Sequence, residues 1–265
     1  MGERSFVVAG GHRLEVERHD VGARDRPVLV FLHEGVGCIS AWRDFPETLA
    51  RRTGCSALVY SRWGYGRSDP VTLPRPLTYM HDEGATLTEL LDACSLHRTI
   101  LVGHSDGGSI ALLHAGRARA TADAATAERV CGLILEAPHV FCEDISVRSI
   151  ASIRRVYEES DLRDRLRKHH GSNVDGAFWG WNQAWLDPEF RRWNIEACLA
   201  NIRVPVLVIQ GEDDEYGTLA QIDSIEQRAD GPVTRCILPN CGHAPHRDQR
   251  EATLDAMARF IRTIA

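Results

Sequence analysis

Val102-Gly103-His104-Ser105-Asp106-Gly107-Gly108 follows directly on the apolar run Thr99–Val102 and has the form G-x-S-x-G. A strand that reverses into a helix within about three residues has no room for Cβ atoms on either side of its tip, so small residues flank the tip residue. Ser105 is therefore expected at the tip of a tight strand-to-helix turn, in strained backbone, with its hydroxyl exposed. The pattern alone is a weak signal and gains its weight from context. Four β-rich apolar residues precede it, and the stretch Gly108–Ala118 that follows is apolar and helix-prone.

The rest of the chain alternates strand and helix around that turn. Ser5–Val8 and Arg13–Arg18, split by Gly10-Gly11, read as an opening hairpin. The continuous apolar run Pro27–His33 fits a strand buried on both faces of a parallel sheet and ends in Glu34-Gly35-Val36-Gly37. Ala41–Arg52 reads as helix, Ala57–Tyr60 as the next buried strand, and Ser61–Ser68 as a glycine-punctuated loop. Between Thr78 and Leu96 the apolar positions Leu87, Leu90, Leu91 and Cys94 step by three and four, the mark of an amphipathic helix. After the turn come a strand at Val130–Leu135, reached by an alanine-rich connection, and another at Val204–Gln210. A helix at Thr218–Arg228, a strand at Thr234–Leu238 and a closing helix at Glu251–Ile264 follow. Such alternation predicts a parallel sheet with helices on both faces.

One segment breaks the rhythm. Cys142–Asn201 separates two core strands by far more than a crossover needs, is polar with helical periodicity, and holds four of the six tryptophans. It is expected to be an inserted helical cap, leaving 1–141 and 202–265 as the core. Trp179, Trp181 and Trp185, with Phe178 and Trp193 beside them, are expected as a group to line a cleft, though any one of them could simply pack the insertion.

A chain of 265 residues with 31 basic and 37 acidic residues, a net charge of −6 and no basic stripe offers nothing that would attract nucleic acid or anionic lipid. No stretch approaches the ~20 apolar residues that span a bilayer, and the start lacks a signal-peptide core, so a cytoplasmic protein is expected. A small-molecule substrate is the expected partner; a homodimer is compatible with the sequence. The eight cysteines are scattered without a C-x-x-C pair and fit free thiols better than disulfides or zinc, with Cys38 and Cys241 set apart by their positions beside the motifs. No His, Cys, Asp or Glu set has metal-ligand spacing, and no phosphate-cradling glycine loop occurs, so neither a metal nor a cofactor is expected.

A serine hydroxyl needs a histidine to take its proton and a carboxylate to orient that histidine. Gly211-Glu212-Asp213-Asp214 follows the strand ending at Gln210, and Gly242-His243-Ala244-Pro245 follows the strand ending at Leu238. Loops after the carboxyl ends of parallel strands converge on one edge, so Ser105, an aspartate of the first loop and His243 can meet there.

In these motifs and their order the chain resembles the α/β-hydrolase fold superfamily, in particular its serine esterase, C–C hydrolase and haloperoxidase-like branch. The likeness runs from His33 to His243 and implies an eight-stranded, mostly parallel sheet with a helical cap. It assigns the nucleophile to Ser105, the base to His243 and the acid to Asp214 rather than Asp213. It also matches the Gly-x-Gly-x-Ser loop to Gly64, Gly66 and Ser68. The oxyanion hole falls on the backbone N–H groups of Asp106 and Gly35. Here the chain departs from the family, since His33-Glu34-Gly35 stands where His-Gly-x is usual, and Glu34 is the alternative donor. Both acidic side chains are expected to point away from the hole and to find donors elsewhere, Arg62 among them. Glu34 and His104 join Trp179, Trp181 and Trp185 as expected substrate contacts. Neither His246 nor His104 falls at the family's general-base position, and His169 and His170 are expected to be exposed to solvent.

The resemblance implies a cofactor-free serine hydrolase acting on an ester with an aromatic or apolar portion. A C–C bond hydrolase ranks below it, because Glu34-Gly35-Val36-Gly37 lacks the glycine-rich loop common in those enzymes. Thioesters and lactones stay open, as does a non-catalytic ligand-binding role for the same fold.

Overall fold

The computed structural model describes residues 2–22, 25–120 and 129–264. Eight strands form one sheet in the order β1-β2-β4-β3-β5-β6-β7-β8. They are β1 (Glu3–Ala9), β2 (His12–His19), β3 (Val28–Leu32), β4 (Ala57–Tyr60), β5 (Thr99–His104), β6 (Val130–Glu136), β7 (Val206–Gly211) and β8 (Val233–Leu238). β1 and β2 pair antiparallel, β2 meets β4 antiparallel, and every later pairing is parallel.

The helices are α1 (Phe45–Thr53), α2 (Tyr79–Ala93), α3 (Asp106–Ala120), α4 (Asp144–Glu159), α5 (Leu162–His170) and α6 (Val174–Leu186). They continue with α7 (Ala220–Arg228), α8 (Pro245–Asp248) and α9 (Arg250–Ile264). The stretch expected as helix from Ala41 opens instead with a short 3-10 turn, Ile39–Trp42, and turns α-helical only at Phe45, where Pro46 sets the first turn. The alanine-rich connection before β6 lies largely on 121–128, outside the described residues.

The apolar run of β3 shows why the sheet is sandwiched. Val30 and Leu32 point to one core with Leu87 and Leu90 of α2 and Ile110 of α3. Leu29 and Phe31 point to the other, with Leu49 of α1 and Leu254, Met257 and Ile261 of α9. Period-two alternation in a strand with both faces covered makes every position apolar. Chain order reverses between β3 and β5, since β4 lies on the far side of β3. Such a switch point opens a crevice at the carboxyl ends of the strands. The loop Glu34–Gly37 and the tip Ser105 leave the sheet there.

The segment 142–201 adds no strand to the sheet. It holds α4, α5, α6 and three 3-10 turns, tied back to the core by an isolated bridge between Phe141 and Asn194. On α6, Phe178, Trp181 and Trp185 recur at i, i+3 and i+7 and are buried as one stripe.

Candidate active site

Ser105 sits in the left-handed region at φ 53°, a conformation that costs a side-chain-bearing residue about 1–2 kcal/mol. Its surroundings hold it there: its N–H donates to Glu136 O (2.8 Å), and its carbonyl accepts from the N–H groups of Gly108 (2.8 Å) and Ser109 (3.1 Å). The flanking glycines are required by close approach. A Cβ on Gly103 would lie 2.4 Å from Gly107 O, and one on Gly107 would lie 2.1 Å from Leu32 O.

Ser105 Oγ is 2.9 Å from His243 Nε2. His243 Nδ1 is 2.8 and 3.0 Å from the two oxygens of Asp214. Asp214 Oδ1 also accepts from the N–H groups of Tyr216 (2.8 Å) and Gly217 (3.2 Å), and Oδ2 from Gln210 Nε2 (2.8 Å). Burial alone would raise the Asp214 carboxyl, but the hydrogen bond from His243 and these N–H donors outweigh it and hold it below the usual aspartate range. Asp213 is exposed, and its N–H donates to Cys241 O (2.9 Å), so it stands outside this chain of contacts.

His104, next to the serine, is buried and donates from Nε2 to the carbonyl of His243 (2.7 Å), which steadies the loop bearing that histidine. Its Nδ1 faces the Glu34 carboxylate at 3.5 Å, an ion-pair distance too long for a good hydrogen bond. Burial opposes charge on both, but their mutual attraction prevails, so Glu34 lies well below the usual carboxylate range and His104 above the usual imidazole one. His246 belongs to a different pair. Its N–H and Nδ1–H both donate to Glu136 Oε2 (2.9 Å each) in the buried space behind His104.

The Asp106 carboxylate turns into the core, where Tyr79 Oη donates to Oδ2 (2.6 Å) and Trp185 Nε1 to Oδ1 (3.2 Å). Arg62 Nη2 stands 4.0 Å away. Burial raises this carboxyl above its ordinary value, partly offset by Arg62, Tyr79 and Trp185. The donors expected of Arg62 are thus supplied to Asp106 chiefly by Tyr79 and Trp185, and the Arg62 side chain reaches the backbone of Glu34 rather than its carboxylate. Asp106 N–H is the first of α3 and has no partner within the helix.

A cavity of about 360 Å³ opens above Ser105. Its outer wall is apolar, from Ile150, Ile153, Leu162, Leu166, Phe178 and Trp181, while Glu34, His139 and Tyr216 supply polar groups near the serine, and Arg43 and Arg247 stand at the rim. Of the tryptophans named from sequence, Trp181 and Trp185 reach the cavity. Trp179 does not. One residue step turns it about 100° from Phe178, and it packs edge-on to Tyr157 with Arg154 over its face.

Two groups were missed in the sequence. His139, three residues past the end of β6, is buried with its ring 5.7 Å from that of His243 and 5.1 Å from Trp185. Burial, then the neighbouring His243, pushes it down to about 3, so it is neutral at ordinary pH. His170 is buried rather than exposed. Its Nδ1 accepts from Gly66 N–H (3.1 Å) and its Nε2 donates to Val36 O (3.0 Å), clamping α5 onto both the Ser61–Ser68 loop and the Glu34–Gly37 loop. Burial drives it down to about 4, consistent with the accepting Nδ1. Position at the carboxyl end of a strand was a signal for His139; nothing in the spacing pointed to His170.

Known proteins share this fold. Residues 29–256 match the model of the alpha/beta hydrolase family, and the chain belongs to that family. Over 268 residues it is 24% identical to 2-succinyl-6-hydroxy-2,4-cyclohexadiene-1-carboxylate synthase of Salmonella paratyphi B, covering 92% of this chain and 98% of the relative. Among solved structures, a thermophilic esterase from Thermogutta terrifontis superposes with a TM-score of 0.75 at 18% identity, covering 99% of each chain. A 2-hydroxy-6-oxo-6-phenylhexa-2,4-dienoate hydrolase from Rhodococcus sp. strain RHA1 gives 0.76 at 16% identity, covering 99% of this chain and all of its own (100%). At such identities these structures establish the shared fold. Among the described residues, no helix is long and apolar enough to cross a membrane.

Proposed function

We propose that the protein is a serine hydrolase that cleaves a carboxylic ester through an acyl-enzyme, with segment 142–201 acting as the cap over its substrate. The observation that carries this reading is the unbroken relay from Ser105 Oγ through His243 to Asp214 at the floor of an apolar-walled cavity. Ser105 Oγ passes its proton to His243 Nε2 as it attacks the ester carbonyl. The developing oxyanion is met by the N–H groups of Gly35 and Asp106, each such donor being worth about 10²–10³ in rate. His243 then protonates the departing alkoxide, draws a proton from water and directs that water at the acyl carbonyl. Asp214 holds the imidazole with Nδ1 protonated throughout.

The walls support a reading of the substrate class. Ile150, Ile153, Leu162, Leu166 and Phe178 favour an apolar or aromatic acyl portion, and a cavity of about 360 Å³ suits a small ester rather than a long-chain lipid. The test is labelling with a fluorophosphonate, followed by a panel of aryl and alkyl esters run beside a vinylogous diketone. Serine-dependent labelling, lost in Ser105→Ala, and ester turnover reduced by orders of magnitude in Ser105→Ala and His243→Ala are the expected results. Well-folded protein that takes no label would favour a binding role instead, and turnover of the diketone alone would move the reaction to C–C cleavage.

A further inference from the structure

Arg62 is the largest charged side chain sealed in the interior, fully buried between the loop after β3 and the start of α3. Its backbone N–H donates to His33 Nε2 (3.0 Å) and its guanidinium lies over the Tyr65 ring, 4.6 Å from the centroid. The single hydrogen bond its guanidinium donates to a carbonyl runs from Nη2 to Glu34 O, at 2.9 Å. Burying a guanidinium for one such bond, with Nε and Nη1 left without partners, is costly, and a surface arginine would avoid that cost.

Glu34 O is held on two further sides, by His33 Nδ1–H (2.8 Å) and Gly37 N–H (3.1 Å). A trans peptide is planar, with C=O and N–H pointing in opposite directions. Fixing Glu34 O toward the interior therefore fixes Gly35 N–H toward the cavity, where no protein group accepts it among the described residues. The same guanidinium stands 4.0 Å from the carboxylate of Asp106, whose own N–H opens α3 beside Ser105.

We propose that Arg62 is the positioning residue of the oxyanion hole: by gripping Glu34 O and facing the Asp106 carboxylate, it sets the Gly35 and Asp106 N–H groups at one point before substrate arrives. This rests on the serine-hydrolase reading. It also accounts for the glutamate in the loop, because the grip is on the backbone of residue 34 and leaves the side chain free to turn to His104. Lysine cannot substitute fully. It keeps the charge but lacks the planar fork that reaches a carbonyl while lying on an aromatic face.

The decisive experiment pairs an oxyanion-bearing ligand with one that has none. In Arg62→Lys, kcat is expected to fall about 10- to 100-fold with KM within about 3-fold. The affinity for a trifluoromethyl ketone, which forms a tetrahedral adduct with the serine, should fall by the same factor, while that for an ether analogue of the substrate, which has no carbonyl oxygen, stays put. Arg62→Met should lose more on the first two measures and equally little on the third. A merely structural arginine would move all ligands together, so folded Arg62→Lys with unchanged ketone affinity overturns the proposal. A crystal structure of the wild-type protein phosphonylated on Ser105 decides the matter even if neither variant folds. The phosphoryl oxygen is expected within about 3.1 Å of both Gly35 N and Asp106 N, with Arg62 still on Glu34 O. An oxygen met by other donors, or a released Glu34 carbonyl, refutes the role of Arg62 while leaving the serine chemistry intact. Failure of Ser105 to take the phosphonate refutes both.

Discussion

Replacing Asp214 by asparagine changes one atom and should disable the relay almost completely. Asp214 Oδ1 accepts two backbone N–H groups, so the new carboxamide has to keep its oxygen at that site and place its NH₂ at the Oδ2 position. Gln210 Nε2, now 2.8 Å from Oδ2, would face another donor, and it is not free to turn because it also donates to Gly217 O (3.0 Å). The NH₂, 3.0 Å from His243 Nδ1, would compete there with a neutral amide oxygen at 2.8 Å that replaces the carboxylate, favouring the tautomer protonated on Nε2, which cannot accept the Ser105 proton. Holding the wrong tautomer costs a serine triad about 10⁴ in kcat, equivalent to about 5.4 kcal/mol of barrier. KM should change by less than about 3-fold, since the cavity wall is untouched. Steady-state hydrolysis of an aryl ester, with fluorophosphonate labelling rates as a second readout, measures the loss. The control is Asp213→Asn, whose side chain lies outside the relay and should leave kcat within about 3-fold of wild type. A crippled Asp213→Asn beside a mild Asp214→Asn would refute the assignment.

The same aspartate predicts a pH dependence of stability. Its folded pKa is depressed, so the stability it contributes is full above the ordinary carboxylate value of about 4 and is lost as pH falls through the lower folded value. The urea-midpoint difference between wild type and Asp214→Asn should therefore be greater at pH 5 than at pH 3; a gap that widens on acidification contradicts it. Gly107→Ala should destabilise the fold by more than about 3 kcal/mol, because its Cβ has only backbone to displace, and a melting temperature near wild type would deny the close approach. His170→Ala strands Gly66 N–H and Val36 O, each a loss of about 1–3 kcal/mol, readable together by calorimetry. Trp181→Ala should raise KM for aromatic esters about 10-fold with Trp179→Ala unchanged, and equal effects would place the aromatic site elsewhere.

The sheet was legible in the sequence because its signals are local. Buried parallel strands read as apolar runs, and the glycines around Ser105 encode a steric limit within five residues. Ser105, His243 and the pair Asp213-Asp214 could be named because each follows a strand end, the resemblance choosing Asp214, whereas the tryptophans read only as a cluster until the helix sorted Phe178, Trp181 and Trp185 onto one stripe. What stayed hidden depends on groups far apart in the chain. Arg62 meets Glu34 O, Tyr79 meets Asp106, and His170 meets Gly66 and Val36, none of which a pattern of residue types records. Trp179 failed for the converse reason: composition made it one of a cluster, while helical rotation separated it from the others.

The hydrogen bonds from segment 142–201 into the core bear on how its selectivity could be changed. Trp185 completes the donors of a carboxylate buried beside Ser105, and His170 satisfies one donor and one acceptor on two separate loops. Exchanging the whole segment for another would leave Asp106 with Tyr79 as its one hydrogen-bonding donor and orphan two backbone groups, each a penalty of about 1–3 kcal/mol. The insertion is thus not a detachable module. Re-engineering for a new acyl group has to proceed through Ile150, Ile153, Leu162, Leu166 and Phe178, whose side chains shape the wall without bonding to the core beneath.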